Sequence, residues 1–342
     1  MQATPAVSVV IPLYNKGPYI ARALNSVLAQ TSQDFEVIVV DDGSTDDGAD
    51  VVKGFDDPRI QLIQQENQGV SAARNRGIEV ANADLIAFLD ADDEWLPGFL
   101  GKIIDLRIKF PLAGIYATAF MKKSFNGIYL KQKFSRIPAG EWEGIIPSYF
   151  GSCAYGRIPI RSSNVVIPRR VFKDVGVFHV GKWWGEDTDM WGRIALKYSI
   201  AFSSDYLAIY NFDATNQASN LLITTEMHPF VQTARQVLEN HSIQSSVYSD
   251  LERYMAKEIL ATAKRNFRAR RPDLARENLS QCPPRVLVLR KMYLRTWTYL
   301  PVPLFHMYLG SLTKGWYYAL QLRNKILSIF PSAIFPKLVK TK

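Results

Sequence analysis

The sequence predicts an α/β chain: a mixed, mainly parallel sheet flanked by helices, with a helical extension at the C-terminal end. Three features predict it. Short, continuous apolar runs alternate with helix-spaced apolar residues through the first 110 residues, the pattern of buried parallel strands and their crossover helices. Turn or acidic residues follow each run. From about residue 220 helical spacing takes over and the charge becomes basic.

In chain order, Val7 to Ile11 is an apolar run closed by Pro12, and Tyr14 to Pro18 reads as a loop. Ile20, Leu24, Val27 and Leu28 recur at helical spacing. Phe35 to Val40 is the second strand, and the loop 41–46 ends in helix-capping residues before Val51 and Val52. Ile60 to Ile63 is a short third strand, Gly69 to Ala81 a helix carrying Arg74, and Leu85 to Leu89 a fourth strand. A helix from Phe99 to Phe110 leads to a strand at Gly114–Phe120, and Asn126-Gly127 marks a hairpin. Residues 135–160 read as irregular. Ser163–Ile167 and Ile200–Tyr210 read as strands, Val171–Val177 as a short helix and turn, and Glu186–Tyr198 as a helix. Two long helices are expected at roughly 220–240 and 249–280. This divides the chain into 1–215, with halves 1–110 and 111–215, and a basic, aromatic-rich region at 216–342.

Net charge is +9, unevenly spread. From Lys264 to Lys342 sixteen Lys and Arg face two acids, Asp273 and Glu277, so that stretch carries +14 and the rest −5. Such a tail suits an anionic partner, nucleic acid or lipid. Between Arg295 and Lys314 lie eighteen residues without Lys, Arg, Asp or Glu. Pro301 and Pro303 interrupt them, and Trp297, Tyr299, Tyr308 and Trp316 are aromatics of headgroup depth, so lying on a membrane fits better than spanning it. Two distant cysteines, Cys153 and Cys282, and no signal-peptide pattern point to a reducing, cytoplasmic setting. The four histidines show no zinc spacing.

Asp90 and Asp92 follow a buried strand, and an extended chain there would point both the same way. Two such acids repel unless a cation joins them, and hard oxygen ligands suit Mg²⁺ or Mn²⁺. A plain strand end entering a helix N-terminus would also favour acids. No Gly-x-Gly-x-x-Gly or Gly-x-x-x-x-Gly-Lys-Ser/Thr cradle is present, so a diphosphate would rest on a cation or arginines. Tyr14, Asp41 and Asp90 sit just past three strands, at the sheet edge where ligands bind in such folds.

The blocks Val9–Asn15, Glu36–Asp46, Asn67–Gly77 and Asp90-Ala91-Asp92, with a fifth, Trp183–Trp191, resemble family 2 glycosyltransferases over about the first 215 residues. The resemblance implies the GT-A fold and inverting transfer from a nucleotide sugar, a UDP-sugar being the usual donor. It implies that Pro12 and Tyr14 border the base, that Asp41 accepts a base N–H, and that Arg74 faces the base or diphosphate. It places Asp90 on the ribose and Asp92 on the Mn²⁺ or Mg²⁺ that bridges the diphosphate. Lys16 departs from the pattern, since many relatives carry an acid there.

In the fifth block Asp187 matches the family's base, with Glu186 beside it at a helix N-terminus. Trp183 and Trp184 could form an apolar wall for an acceptor sugar, and Arg193 is a further cation near the leaving group. The expected activity is transfer to a hydroxyl of a glycan or lipid-linked acceptor in cell-surface polysaccharide biosynthesis, at the inner face of the membrane. The rival readings are a nucleotide-sugar-binding scaffold without turnover and a nucleic-acid-binding protein. No nucleic-acid motif supports the last, so nucleic acid is not an expected partner.

Overall fold

The computed structural model describes residues 4–214, 226–240 and 243–299. Its strands are β1 (Val7–Leu13), β2 (Phe35–Asp42), β3 (Ile60–Gln65), β4 (Leu85–Phe88), β5 (Glu94–Trp95), β6 (Ile115–Lys123), β7 (Tyr129–Lys131), β8 (Glu143–Ile145), β9 (Val165–Pro168) and β10 (Ile200–Asn211). The helices of the first part are α1 (Gly17–Leu28), α2 (Gly48–Lys53), α3 (Val70–Val80), α4 (Phe99–Lys109), α5 (Tyr149–Tyr155), α6 (Arg169–Val175) and α7 (Glu186–Ala195). Beyond them come α8 (Pro229–Glu239), α9 (Ser245–Arg268), α10 (Pro272–Ser280) and α11 (Val288–Trp297).

One sheet runs in the order β3-β2-β1-β4-β9-β6-β10-β5, with β7 added on β6 and β8 on β10. The long strands pair in parallel: β1 with β2 and β4, β2 with β3, and β6 with β10. β9 runs against both its neighbours, antiparallel to β4 and β6, and joins the two halves of the sheet; the short β5, β7 and β8 are also antiparallel to their partners.

The apolar runs are continuous because both faces are covered. Val9, Ile11, Val37 and Val39 enter one core with α1 and α4, while Val10, Ile38, Val40 and Phe88 enter the other with α3 and α7. Gly77 lets α3 lie flat on β1, since a Cβ there would fall 2.3 Å from Val10 Cγ1. The hairpin at Asn126-Gly127 forms as predicted, with Gly127 at φ +77°.

Two expectations need correction. The stretch 135–160 is not irregular throughout: it contains β8 and the buried helix α5. The helix expected over 249–280 is two helices, broken where Arg270 turns to φ +62° before Pro272 opens α10. A residue preceding proline is pushed out of helical conformation, which makes Arg271 a natural stop.

The C-terminal helices do not stand apart. Leu251, Tyr254, Met255 and Ile259 of α9 share the core of Phe150, Trp191 and Phe230. A smaller cluster, with Phe267, Leu279, Leu294 and Trp297, closes the far end. The expected division near 215 falls in residues 215–225, outside the described residues, as does most of the Arg295–Lys314 segment. Among the described residues no helix is long and apolar enough to cross a membrane.

Candidate active site

Parallel pairing aligns the ends of β1, β2 and β4, with Leu13 beside Asp41 and Val10 beside Phe88. The loops after these strands therefore meet along one edge. Tyr14 stands there half exposed, at 49 %, next to Pro12 at the end of β1. Asn15 ties the first loop to the second: its N–H donates to Ser44 Oγ at 3.0 Å, and its side-chain oxygen accepts from Thr45 N at 2.8 Å.

Asp41 is buried and accepts from Ser44 N at 3.0 Å and from Gln64 Nε2 at 3.1 Å. Each oxygen thus holds one donor, which leaves capacity for a ligand N–H. Asp42, one residue on, faces the other way and is spent on structure. It accepts from Gln65 Nε2, Gln68 N and Gly69 N, which pins the loop that opens α3.

Asp90 and Asp92 are brought together by a turn, not by strand alternation as expected. Asp93 N donates to Asp90 O at 2.9 Å, closing the turn directly after β4. Asp93 is buried, accepts from Ser163 Oγ and Asn211 N, and anchors this turn to β10 and to the turn before β9. Burial, with Asp92 and Asp90 beside it, holds its carboxyl well above the usual range.

The centre of the cluster is Arg74, 3 % exposed. Its guanidinium donates to Asp90 Oδ1 and to Glu186 Oε1, both at 2.9 Å, and lies over the Phe178 ring at 5.4 Å. One residue of α3 thereby ties the end of β4 to the start of α7. Burial would lower its pKa, yet Asp90, Glu186 and Asp187 hold it raised. Burial and Asp187 push the Glu186 carboxyl up to about 7 against the pull of Arg74. Asp90 is likewise raised, by shielding from water and by Asp92 and Asp187, with Arg74 opposing. Asp187 is thus an electrostatic neighbour of Arg74, Asp90 and Glu186.

Gly185 opens α7 in the left-handed region at φ +80°, where a Cβ would meet His228 Nε2 at 2.4 Å. Asp187 Oδ1 accepts from Thr188 N at 2.6 Å and from Thr188 Oγ1 at 3.1 Å. Thr188 Oγ1 lies 3.1 Å from His228 Nε2, and His228 Nδ1 accepts from Phe230 N, which assigns the ring proton to Nε2. Thr188 of α7, held in turn by His228 at the start of α8, therefore orients Asp187. The sequence shows only that His228 lacks zinc spacing, and forty residues of separation leave no local signal for this contact.

Lys16 donates to Asp92 Oδ2 at 2.6 Å, so an ammonium already stands at the expected metal ligand. Mg²⁺ in nucleotide sites is held by one or two carboxylates plus phosphate oxygens. Asp92 fits that part through its other oxygen, which takes no hydrogen bond from the described residues. Among those residues no group of three or more His, Cys, Asp and Glu forms a metal cage.

Trp183 and Trp184 turn toward the C-terminal helices. Arg265 of α9 lies over both rings, at 4.9 and 5.3 Å, and His228 meets Trp184 edge-on at 5.0 Å. Trp183 and Trp184, with Asn266, Asn278 and Gln281, line a cavity of about 560 Å³. Arg193 is not available to a leaving group: it is bound to Asp189 Oδ2 and to the carbonyls of Val175 and Val177.

A mixed, mainly parallel sheet with acids gathered at its edge and a second acidic helix start near them is a GT-A fold. The profile described as "Glycosyl transferase family 2" matches residues 8–217, and the chain belongs to that family. It is 46 % identical over 103 residues to an uncharacterized glycosyltransferase of Nostoc sp., covering 29 % of this chain and 32 % of that one. It is 34 % identical over 198 residues to one of Rickettsia felis, covering 57 % and 31 %. The chain thus spans about a third of the length of these relatives. In fold it is similar to S. aureus TarS 1-349 in complex with UDP-GlcNAc, with a TM-score of 0.63 and 19 % identity over 85 % of this chain and 87 % of that one.

Proposed function

We propose that this chain is an inverting glycosyltransferase that moves a sugar from a UDP-sugar to a hydroxyl of a glycan or lipid-linked acceptor, in cell-surface polysaccharide assembly. The observation that carries the reading is the bridge Asp90–Arg74–Glu186, which sets Asp187 beside the strand-end acids. Solved TarS complexes with UDP and with UDP-GlcNAc support a uridine diphosphate donor by analogy of fold.

In this reading Tyr14 stacks on the base beside Pro12, Asp41 accepts the base N–H, and Asp90 binds the ribose. Asp92 holds Mg²⁺ or Mn²⁺, which supplies positive charge for the departing diphosphate when bound. Arg74 contributes fixed charge within the pocket and locks Asp90 and Glu186 in place. Asp187 takes the acceptor hydroxyl's proton as its oxygen attacks the anomeric carbon; Thr188 and His228 hold its carboxylate for that task. Trp183 and Trp184 meet the acceptor only through the surface that borders the cavity beside Arg265.

Thermal-shift titration with UDP, UDP-sugars and the corresponding GDP and CDP compounds, each with Mn²⁺ and with a chelator, tests the reading. UDP compounds should stabilise the chain selectively. Equal, weak responses to all three bases would contradict it.

A further inference from the structure

Lys122 and Lys123 are adjacent on β6 and point to opposite faces. Lys123 faces a carboxylate, Glu94 Oε1, at 3.5 Å. Lys122 has none. It is half-buried, with its ammonium over the rings of Phe212 at 4.9 Å and Tyr210 at 5.8 Å, and its charged neighbours are Arg161 and Arg157. Arg161 lies over Phe120, two residues before Lys122 on the same strand face, at 6.0 Å, and its Nε is buried without a hydrogen-bond partner.

Burial and these two arginines push the Lys122 ammonium down to about 8. Two half-buried cations, Lys122 and Arg161, with the exposed Arg157 beside them and no acid among the three, are unfavourable in the free chain. No undescribed residue relieves this, because residues 1–3, 215–225, 241–242 and 300–342 contain no Asp or Glu.

The cluster stands next to the expected reaction centre. Lys122 pairs in register with Tyr210; the next residue, Asn211, donates to Asp93 Oδ1 at 2.9 Å and to Asp92 O at 3.0 Å. Ser163, two residues past Arg161, binds the Asp93 carboxylate and accepts from Asp90 N at 3.2 Å. The cations thus come from the ends of β6 and the 156–161 loop, across the sheet from β1 and β2.

We propose that Lys122, Arg157 and Arg161 form a binding site for an oxyanion, a phosphate or carboxylate, carried by the acceptor. Arginines match such oxygens with paired N–H donors, and the lysine adds a point charge. This rests on the donor reading above and adds the charge class of the acceptor to it.

Calorimetry on the full chain tests the site with inorganic phosphate and glycerol 3-phosphate as acceptor-side probes, and with UDP, UDP-glucose and UDP-glucuronate as donor-side probes. The wild type should bind glycerol 3-phosphate with UDP already present. Lys122→Met and the exposed Arg157→Gln should each weaken that binding at least about fivefold, and the pair by more than about tenfold, while UDP affinity stays within twofold. Because Arg157 is exposed, its variant tests the site even where Lys122→Met disturbs folding. Loss of UDP affinity in step with phosphate would assign the cations to the donor diphosphate and overturn the proposal. So would a preference for UDP-glucuronate over UDP-glucose that the variants abolish, and so would phosphate binding that is absent or unchanged in the variants. A wild type that binds phosphate but no uridine nucleotide would instead contradict the donor reading.

Discussion

At the scale of single residues, charge placement governs the site. Lys16 sits on Asp92 at 2.6 Å, so a divalent cation must displace or share that ammonium. A unit charge at ~4 Å is worth about 1 kcal/mol even in a water-like medium. Lys16→Met should therefore tighten Mn²⁺ binding by about tenfold, read as loss of the free-ion paramagnetic resonance signal; unchanged affinity would remove Lys16 from the metal's surroundings. Glu186 supplies a second prediction. Its carboxyl lies at about 7 in the folded chain against a reference of 4.5, so the folded state holds the extra proton between those values. Its contribution to stability is complete below pH 4.5 and is lost as pH rises through 7. Glu186→Gln should flatten part of the fall in unfolding free energy, read by urea titration, between pH 5 and 8, by on the order of 2 kcal/mol. A variant as pH-sensitive as the wild type would show that Glu186 is not held protonated. Asp41, Asp90 and Asp92 were legible in the sequence because they follow apolar runs, and Glu186 and Asp187 through the resemblance of their block. Their partners were not: Lys16 and Asp92 are 76 positions apart, and Arg74 and Glu186 are 112 apart.

At the scale of elements, α5 shows where local reading fails. Its sequence, Tyr149 to Tyr155, contains Gly151 and Cys153 and has no helical stripe. Short helices of this kind depend on tertiary contacts. Here α9 clamps both ends. Ser148 Oγ caps the first turn and also donates to Asp250 Oδ2 at 2.7 Å, while Lys257 donates to the carbonyl of Gly156 at 2.6 Å. Asp250 further pairs with Arg136 at 2.6 Å. Asp250→Ala should cost about 1–2 kcal/mol in chemical unfolding, because it takes the acceptor from the half-buried Ser148 hydroxyl, while the largely exposed Arg136 guanidinium turns to water. A loss below ~0.5 kcal/mol would mean that α5 stands without the clamp. The strands of the first half needed no such help, and their positions follow directly from the apolar runs. The strand β9 was also visible as a run, but its reversed direction was not, since direction is set by which neighbours it finds across the sheet.

At the scale of the whole molecule, the sheet joins the edge on β1, β2 and β4, proposed to take the donor, to a side built on β6, β10 and α7, proposed to take the acceptor, and the C-terminal helices complete the second core. The basic excess lies mainly past Lys264, and the part most suited to a membrane surface, from 300 onward, lies outside the described residues. Vesicles with anionic lipid should bind the full chain at low salt and release it near ~0.5 M, where charges are screened within a few ångströms. A chain ending at residue 299 should bind them weakly at any salt; binding equal to the full chain would place the contact elsewhere. The central claim concerns neither tail nor metal, but the meeting of Asp187 with the strand-end acids around one donor. It is tested most directly by measuring sugar transfer and UDP affinity together in Asp187→Asn. Transfer should fall by about 10²–10⁴-fold with UDP affinity unchanged; transfer at the wild-type rate in a chain that still binds UDP would contradict the account.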